Sequence, residues 1–248
     1  MELKEYEKMY EFEEKYWWWI GKRDLVNTIL GQLHGSFDKI LDAGCGTGFN
    51  LNYLKNKGTV IGLDFSKDAL KFCRIREHKD LIQADAEILP LKNDAIDIMI
   101  ALDCLEHLDD VKCLKEFYRV LKPNGYLIIT VPAFMCLWSK HDEALHHKRR
   151  YDKLQLINVL QFNGFIIKKI SYWNFFLFLP VAALRLIKKS GKNQKIETDV
   201  KEMPKIINKI LRSILRLEAY LISRLNLPIG VSMVCVGKAN KPSNFHHR

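Results

Sequence analysis

The stretch Asp42-Ala-Gly-Cys-Gly-Thr-Gly48 holds three glycines within five residues and begins with an acid. The apolar residues before it predict a short buried strand over 39–42, and the pattern after it predicts a helix over 50–57. A glycine-rich turn between a strand and a helix lets the backbone approach a ligand closely. A dinucleotide fingerprint requires G-x-G-x-x-G, but here the third glycine comes one position early and Phe49 takes its place. This spacing argues against a nicotinamide-dependent oxidoreductase.

The same alternation of short apolar runs and helical patterns continues along the chain. Further strands are predicted at 59–64, 81–85, 95–102, 126–131, 165–171 and 230–237, and helices at 66–76, 111–121 and 151–163. Strands separated by helices indicate a parallel sheet covered on both faces. The carboxyl ends of such strands meet at one edge, where open α/β folds bind ligands. The sequence therefore predicts a ligand site at the edge that holds the glycine turn.

These elements, in this order, resemble the class I S-adenosylmethionine-dependent methyltransferases, in particular the small-molecule branch of type 11 or 12. The turn at 42–48 resembles motif I, and Leu105-Glu-His-Leu108 resembles the loop after motif IV. The segment Leu121-Lys-Pro-Asn-Gly125 resembles the turn before the fifth strand of that branch, so the resemblance covers about residues 38–135. It implies an α/β, Rossmann-like doubly wound seven-stranded sheet with the last strand antiparallel and inserted beside the fifth, here with a C-terminal helical insertion.

The resemblance implies S-adenosyl-L-methionine as the cofactor. In the family an acid ending the second strand holds both ribose hydroxyls, as Asp64 would, and an acid after the third strand lies near the adenine, as Asp85 would. A carboxylate can accept two hydroxyl hydrogen bonds. Asp64 could instead cap a helix, and Asp42 could stabilise the turn rather than meet the methionine amino group. The expected cofactor-binding residues are Asp42, Gly44, Cys45, Gly46, Gly48, Asp64, Phe65, Asp85, Ala86 and Leu102.

Motifs that are missing narrow the acceptor. Motif IV reads Ala101-Leu-Asp-Cys104, without the Asn/Asp-Pro-Pro-aromatic box of enzymes that methylate bases or glutamine and without the Pro-Cys of cytosine-5 enzymes. Nucleic acid is therefore not the expected acceptor, and the branch implies an oxygen of a small, lipid-linked, glycan or quinone-type molecule. Two rivals remain: a non-catalytic module that binds the cofactor or a membrane, and an RNA methyltransferase.

A loop rich in histidine and arginine follows the fifth strand. Histidine titrates near neutral pH, so His141 is the first candidate for a general base and His107 the second. Paired arginines suit a phosphate or a carboxylate. The expected substrate-binding residues are Asp142, His146, Arg149, Arg150 and Tyr151. The alternative is a structural loop in which the aspartate pairs with an arginine and the tyrosine anchors the next helix. Adjacent histidines at 146 and 147 rarely face one ion, so no metal is expected.

Basic residues are concentrated in the second part of the chain. Residues 1–140 carry 19 Lys and Arg against 22 Asp and Glu, whereas residues 141–248 carry 20 against 7. This asymmetry suggests an anionic partner, such as nucleic acid, a membrane surface or a phosphorylated substrate, or else a solvated basic face. An apolar fraction of 48% excludes a disordered chain. Six cysteines without a CxxC pair fit a reducing cytosol.

We expect one methyltransferase domain over 1–248, with an N-terminal helical lid at 1–37, a Rossmann-like core at 38–171 and 229–240, and a basic aromatic helical insertion at 172–228. The tryptophans at 17, 18 and 19 are costly to leave in water. They could staple the lid to the core, cover the methyl donor or enter a membrane interface.

The insertion has two apolar parts. Residues 172–187 contain Pro180 and Arg185 and are shorter than the ~20 residues of a transmembrane helix. A basic linker over 188–195 and an amphipathic helix over 205–225 follow. The apolar stripe of that helix comprises positions 207, 210, 211, 214, 217, 221 and 225. The pattern is typical of a protein lying on an anionic bilayer, but it also fits a hairpin packed on the sheet or a dimer interface. Because the acidic residues 1–16 predict no secretory signal, the expected location is cytoplasmic, peripheral to the inner face of the membrane.

Overall fold

The computed structural model describes residues 2–189, 200 and 202–242. The strands are β1 (Lys39–Ala43), β2 (Thr59–Asp64), β3 (Leu81–Gln83), β4 (Ile96–Leu102), β5 (Leu121–Pro132), β6 (Phe165–Trp173) and β7 (Ser232–Ala239). The helices are α1 (Leu3–Phe12), α2 (Trp17–Leu30), α3 (Phe49–Leu54), α4 (Lys67–Ile75), α5 (Asp110–Val120), α6 (Lys140–Ala144), α7 (Lys153–Phe162), α8 (Phe178–Lys189) and α9 (Lys205–Arg224). Short 3-10 turns lie at Lys55–Lys57, Leu105–His107 and Met135–Leu137.

One mixed sheet has the strand order β3-β2-β1-β4-β5-β7-β6. Strands β1 to β5 pair in parallel, and β7 runs antiparallel between β5 and β6. The register of β7 on β5 extends from Tyr126↔Lys238 to Pro132↔Ser232. This arrangement confirms the expected doubly wound, seven-stranded fold with its last strand beside the fifth.

Local signals in the sequence position the helix ends. The Ser66 hydroxyl accepts a hydrogen bond from the Ala69 N–H and caps α4, as the sequence predicts. Gly164, just after α7, has a φ of +89°, which a residue with a side chain adopts at a cost. The start of α4 and the end of α7 are therefore set by residues beside each helix in the sequence.

Helices cover both faces of the sheet. On one face, Leu114 and Phe117 of α5 and Leu156 of α7 are buried in the larger core cluster. On the other face, Leu25 of α2 and Leu215 of α9 are buried in a second cluster. The C-terminal insertion is thus part of the core, because α9 packs on one face of the sheet.

The buried stripe of α9 differs from the apolar stripe seen in the sequence. The structure buries Leu215, Ala219 and Ile222, which face α2 and the sheet. Gly21 of α2 permits this contact, since a Cβ there would lie 2.3 Å from Leu215 Cδ1. Large apolar side chains of α9 that remain exposed are Ile206, Ile207, Ile210, Leu217 and Tyr220.

Parts of the basic linker and tail lie outside the described residues, namely Lys192, Lys195 and positions 243–248. Within the described ranges, no helix combines the length and the apolar character that crossing a bilayer requires.

Candidate functional site

A large cavity opens at the carboxyl edge of the parallel strands. Its volume is about 1540 Å³, compared with ~300–1,000 Å³ for most small-molecule pockets. The glycine turn and the acids that follow β2 and β3 line one half, and three histidines with part of α8 line the other. A cavity of this size has room for two ligands side by side.

Glycines allow the turn after β1 to line the cavity with backbone. Gly44 and Gly46 have φ values of +76° and +56°. A Cβ on Gly44 would lie 2.9 Å from Cys104 Sγ, and one on Gly46 would lie 3.0 Å from Met9 Sδ. Together with Cys45, they line the cavity as the sequence predicts.

Asp64 is held at the end of β2 by two backbone N–H groups. Its carboxylate accepts hydrogen bonds from Gly46 N at 2.9 Å and Ser66 N at 2.8 Å. Burial raises the pKa of Asp64, and these two N–H groups limit the rise. Because each carboxylate oxygen has two lone pairs, acceptor capacity remains for hydroxyl groups in the cavity.

Four further predicted cofactor residues line the same half of the cavity: Phe65, Asp85, Ala86 and Leu102. Phe65 is 75% exposed, so its ring face is available for stacking. Asp85 accepts a hydrogen bond from Glu87 N at 2.9 Å, which fixes the loop after β3. The geometry suits a flat, apolar ring system between these side chains.

Asp42 and Gly48 are placed differently from the other predicted residues. Neither lines the cavity. Gly48 has a φ of +85° and begins α3. Asp42 is buried beneath the turn, and its Oδ2 has no hydrogen-bond partner among the described residues. Burial, followed by the charges of Asp64 and Glu13, raises the pKa of Asp42 to about 7. Asp42 thus lies under the turn and Gly48 at the start of α3, and their contact with the cofactor stays a prediction.

Helix α1 covers the half of the cavity that holds the predicted cofactor residues, called the cofactor half below. Tyr6, Met9 and Glu13 line it from above. Glu13 accepts hydrogen bonds from Thr47 Oγ1 and, at 2.9 Å, from Arg76 Nη2. Burial raises the pKa of Glu13 to about 7, although these two donors oppose the rise. The N-terminal segment is thus tied to the glycine turn and to the end of α4.

The tryptophans after α1 contribute to both core and cavity. All three line the cavity. Trp18 also packs on buried Trp173 with ring centroids 4.8 Å apart. Of the alternatives left open by the sequence, the structure favours stapling to the core together with covering the site.

One ion pair links the N-terminal segment to the loop after β4. Lys22 of α2 donates to Asp103, which also accepts from Thr130 Oγ1 at 2.8 Å. Burial opposes ionisation of Asp103, but Lys22 holds its pKa below the ordinary value. Lys22 and Asp103 line the cavity between its two halves.

The second half of the cavity contains a histidine cluster. His107, His141 and His147 all line it. The rings of His107 and His147 have centroids 4.8 Å apart, and that of His141 lies 6.4 Å from that of His147. Burial, and then the neighbouring His147, lowers the pKa of His107 to about 4, so this imidazole is neutral at pH 7.

The predicted substrate-binding loop is largely an internal network. Asp142 is fully buried and bonds to Arg150 and His147. Although burial opposes it, these partners hold the pKa of Asp142 below its ordinary value. Arg149 and the Tyr151 hydroxyl both bind the Asp110 carboxylate, at 2.7 and 3.0 Å.

Four members of that predicted set do not reach the cavity. They are Asp142, His146, Arg149 and Tyr151, whereas Arg150 does line it. His146 is exposed, with a φ of +57°. The loop turns at this residue, which sends His146 outward and His147 inward. The structural alternative left open by the sequence therefore describes this loop better than direct substrate contact.

Apolar side chains close the far end of the cavity. They come from the segment before α8, from α8 itself and from the residues before α9, namely Leu177, Val181, Leu184, Val200 and Met203. Arg185 lines the same wall and donates to the Leu137 carbonyl at 2.8 Å. This half therefore combines imidazoles and a guanidinium with an apolar wall.

Several cavity residues could not be predicted from the sequence, because their positions depend on contacts between distant parts of the chain. Glu13 and Lys22 reach the site from the N-terminal helices. Glu106 and His147 are 41 positions apart and meet only when the loops after β4 and β5 fold together. Glu106 could have been found from its place in the segment Leu105-Glu-His-Leu108. The sequence does not show which of the adjacent residues His146 and His147 faces the cavity.

Comparisons with known proteins agree with this fold. A family model described as a methyltransferase domain, of type 11, matches residues 41–129. An uncharacterized protein of Methanocaldococcus jannaschii is 36% identical over 129 residues, which are 52% of this chain and 47% of that protein. A malonyl-[acyl-carrier protein] O-methyltransferase of Hamiltonella defensa is 33% identical over 141 residues, 52% of this chain and 55% of that protein. The chain thus spans about half the length of these relatives.

Among solved structures, a SAM dependent methyltransferase from Archaeoglobus fulgidus has a TM-score of 0.55 at 21% identity. The match covers 87% of this chain and 94% of that one. At this identity the likeness concerns the fold alone.

Proposed function

Because this chain belongs to the class I S-adenosylmethionine-dependent methyltransferases of the type 11 kind, we propose that it transfers the methyl group of S-adenosylmethionine to an oxygen of an acceptor with an apolar tail. The observation that carries the proposal is the one cavity shared by the glycine turn, the histidine cluster and the wall of α8. This continuity supports a nucleoside site directly beside an acceptor site.

The cofactor half supplies binding and orientation. When bound, S-adenosylmethionine provides a methyl group already activated on a sulfonium. Asp64 offers its remaining lone pairs to ribose hydroxyls, and the exposed ring of Phe65 stacks on the adenine. Helix α1 covers this half and excludes water from it. Aligning the acceptor with the methyl group can provide ~7–11 kcal/mol of the barrier reduction in favourable cases.

The acceptor half favours an oxygen that is acidic, and we propose a carboxylate as the preferred class. A base with a pKa of about 4, such as His107, removes the proton of an ordinary alcohol poorly. A carboxylate arrives already ionised and needs positioning, which the Arg185 guanidinium on the apolar wall can provide. The relative from Hamiltonella defensa is named for O-methylation of a malonyl carrier protein, which also supports this class. For a hydroxyl acceptor, His141 is the candidate base.

Calorimetric titration with S-adenosylmethionine and S-adenosylhomocysteine tests the cofactor half. We expect saturable binding of both and a loss of at least about tenfold in affinity for Asp64→Asn, because its charge-assisted hydrogen bonds are removed. Asp68→Asn is the matched control, since Asp68 lies on the outside of α4 and pairs with Lys71. No heat from either compound with the wild-type protein would instead support a non-catalytic module.

Transfer of a deuterated methyl group, followed by mass spectrometry, tests the acceptor class. The panel pairs long-chain acyl carboxylates with alcohols and amines of the same chain length, and includes short-chain carboxylates and transfer RNA. We expect label in the methyl ester of the long-chain carboxylate and much less in the short one. Label in RNA, with binding that weakens steeply as salt rises, would favour an RNA methyltransferase.

We also propose that the protein lies against an anionic membrane surface. Helix α9 carries five Lys and Arg against one Glu, and its Ile206 and Ile210 are 75% and 54% exposed. Exposed apolar side chains beside basic ones suit the interface of an anionic bilayer. Deleting the insertion would expose the core, so the test is flotation with phosphatidylglycerol vesicles of the variant Ile210→Glu.

We expect the wild-type protein to float and Ile210→Glu to remain mostly at the bottom of the gradient. Leu154→Glu, at a site on α7 that is 72% exposed, should float like the wild type. Phosphatidylcholine vesicles should recover little protein. Equal flotation of all three proteins would contradict the proposal.

A further inference from the structure

Three potential metal ligands meet in the acceptor half of the cavity. One ligand atom each from Glu106, His107 and His147 lie within 4.8 Å of one another. His147 Nε2 is 3.9 Å from Glu106 Oε1. Glu106 and His107 belong to the 3-10 turn after β4, and His147 comes from the loop after β5, so two loops of the ligand-binding edge contribute.

Glu106 has no protein partner that explains its burial. It is 0% exposed, and neither carboxylate oxygen has a hydrogen-bond partner among the described residues. A buried carboxylate without a partner is costly, and native structures place such groups beside a cation or a ligand. The imidazoles of the same cluster approach it, and the charges of Asp103, Lys22 and Arg150 also act on it.

The imidazole of His147 is oriented by a carboxylate on its outer side. His147 Nδ1 lies 2.9 Å from Asp142 Oδ1, which leaves Nε2 directed towards Glu106. Asp142 is itself fixed by Arg150 and by the Ser139 N–H, each at 2.8 Å. A carboxylate that binds the outer nitrogen of a histidine is the usual support of a metal-binding imidazole. Arg150 and Lys22 are the nearest cations, and both are already paired with aspartates.

We propose that Glu106, His107 and His147 bind one divalent first-row transition cation. Two imidazoles and one carboxylate on one face are a ligand set that leaves coordination positions open. Bonds of ~2.0–2.2 Å would draw the ligand atoms to within about 3–3.5 Å of one another, which small side-chain rotations from the observed separations achieve. The open positions face the cavity, where, if the proposed function holds, the cation would bind the acceptor oxygen.

Cobalt titration of protein treated with chelator and free of any affinity tag tests the site without the methyl donor. We expect a visible ligand-field spectrum that saturates at one equivalent and is displaced by Zn²⁺. His107→Gln and His147→Gln should lose it, whereas His146→Gln, at the exposed neighbouring position, should retain it. Asp142→Asn should keep the spectrum but weaken affinity by roughly 10- to 100-fold, because the imidazole loses its support.

Circular dichroism and thermal unfolding of each variant separate a lost ligand from a lost fold. Absence of saturable binding in the wild-type protein overturns the proposal. So does a spectrum that persists in both His107→Gln and His147→Gln, or one dominated by thiolate charge transfer. Binding of S-adenosylmethionine by His147→Gln, measured in parallel, shows whether the cofactor half is intact. Failure of the metal site can therefore be told apart from failure of the methyltransferase proposal.

Discussion

Replacing Asp42 by asparagine should stabilise the protein at high pH and do so less at low pH. The carboxyl is buried beneath the glycine turn, and its pKa is raised from 3.8 to about 7, first by burial and then by Asp64 and Glu13. Each pKa unit corresponds to ~1.4 kcal/mol, so keeping Asp42 ionised in the folded state costs about 4 kcal/mol. A folded pKa above the unfolded one means that stability is lost as pH rises from about 4 through 7.

Burying the amide of the variant costs the same free energy at every pH. A stability difference between variant and wild type that changes with pH therefore comes from titration of the Asp42 carboxyl. At pH 8 nearly the whole ~4 kcal/mol applies, whereas at pH 5 roughly 1–2 kcal/mol remains, because the folded carboxyl keeps its proton there. The advantage of Asp42→Asn should therefore grow by about 2–3 kcal/mol between pH 5 and pH 8. For a chain of this size that corresponds to roughly 5–10 °C in Tm.

Thermal unfolding without ligand, followed by circular dichroism at both pH values, measures this difference. Asp68→Asn, on the exposed side of α4, serves as the control and should show no such growth. A Tm difference between Asp42→Asn and wild type that is the same at pH 5 and pH 8 would refute the reasoning.

Three further substitutions test packing and the turn. Gly21→Ala places a Cβ 2.3 Å from Leu215 Cδ1 and should destabilise the protein by about 1–3 kcal/mol in urea unfolding; an unchanged midpoint would contradict the packing of α2 on α9. Gly44→Ala meets both a φ of +76° and the Cys104 thiol, so calorimetry should show at least about tenfold weaker S-adenosylmethionine binding with the fold retained; full affinity would remove the turn from the site. Glu218→Ala removes the carboxylate that accepts from two backbone N–H groups before α8, at 3.1 and 3.0 Å. It should lower the stability by about 1–3 kcal/mol in thermal unfolding. Unchanged stability would mean that water replaces the carboxylate, and would contradict this role.

The sheet could be predicted from sequence because its signals are local. The glycine turn, the acid at Asp64 and the cap at Ser66 each depend on residues within one strand–turn–helix unit. The position of β7 followed from the family resemblance, since nothing local decides which neighbour a last strand chooses.

The orientation of α9 could not be predicted in the same way. Its sequence carries apolar residues on two faces, one with Ile207 and Ile210 and one with Leu215 and Ile222. Gly21, nearly two hundred positions away, decides between them by admitting Leu215 closely. The choice is made by tertiary contact, which periodicity alone does not contain.

The candidate site shows the same difference between residues in local motifs and residues positioned by tertiary contacts. Predicted cofactor residues such as Gly44 and Asp85 lie in motifs of fixed spacing, and both line the cavity. The loop after β5 instead folds around Asp142, whose contacts reach residues that no spacing rule connects. Some charged side chains of this loop do not line the cavity but bind residues that do. The sequence does not show which of them have this position.

Arg76 holds the N-terminal helix across the part of the cavity that the glycine turn lines. It binds Glu13, Glu14 and the Tyr10 carbonyl, and stacks on the Tyr10 ring. The pair with Glu13 is buried, with both side chains 7% exposed, so dissolved ions screen it far less than the pair with Glu14 at the surface. A ligand that leaves the cavity on this side must separate the buried pair, so added salt would ease its exit only slightly.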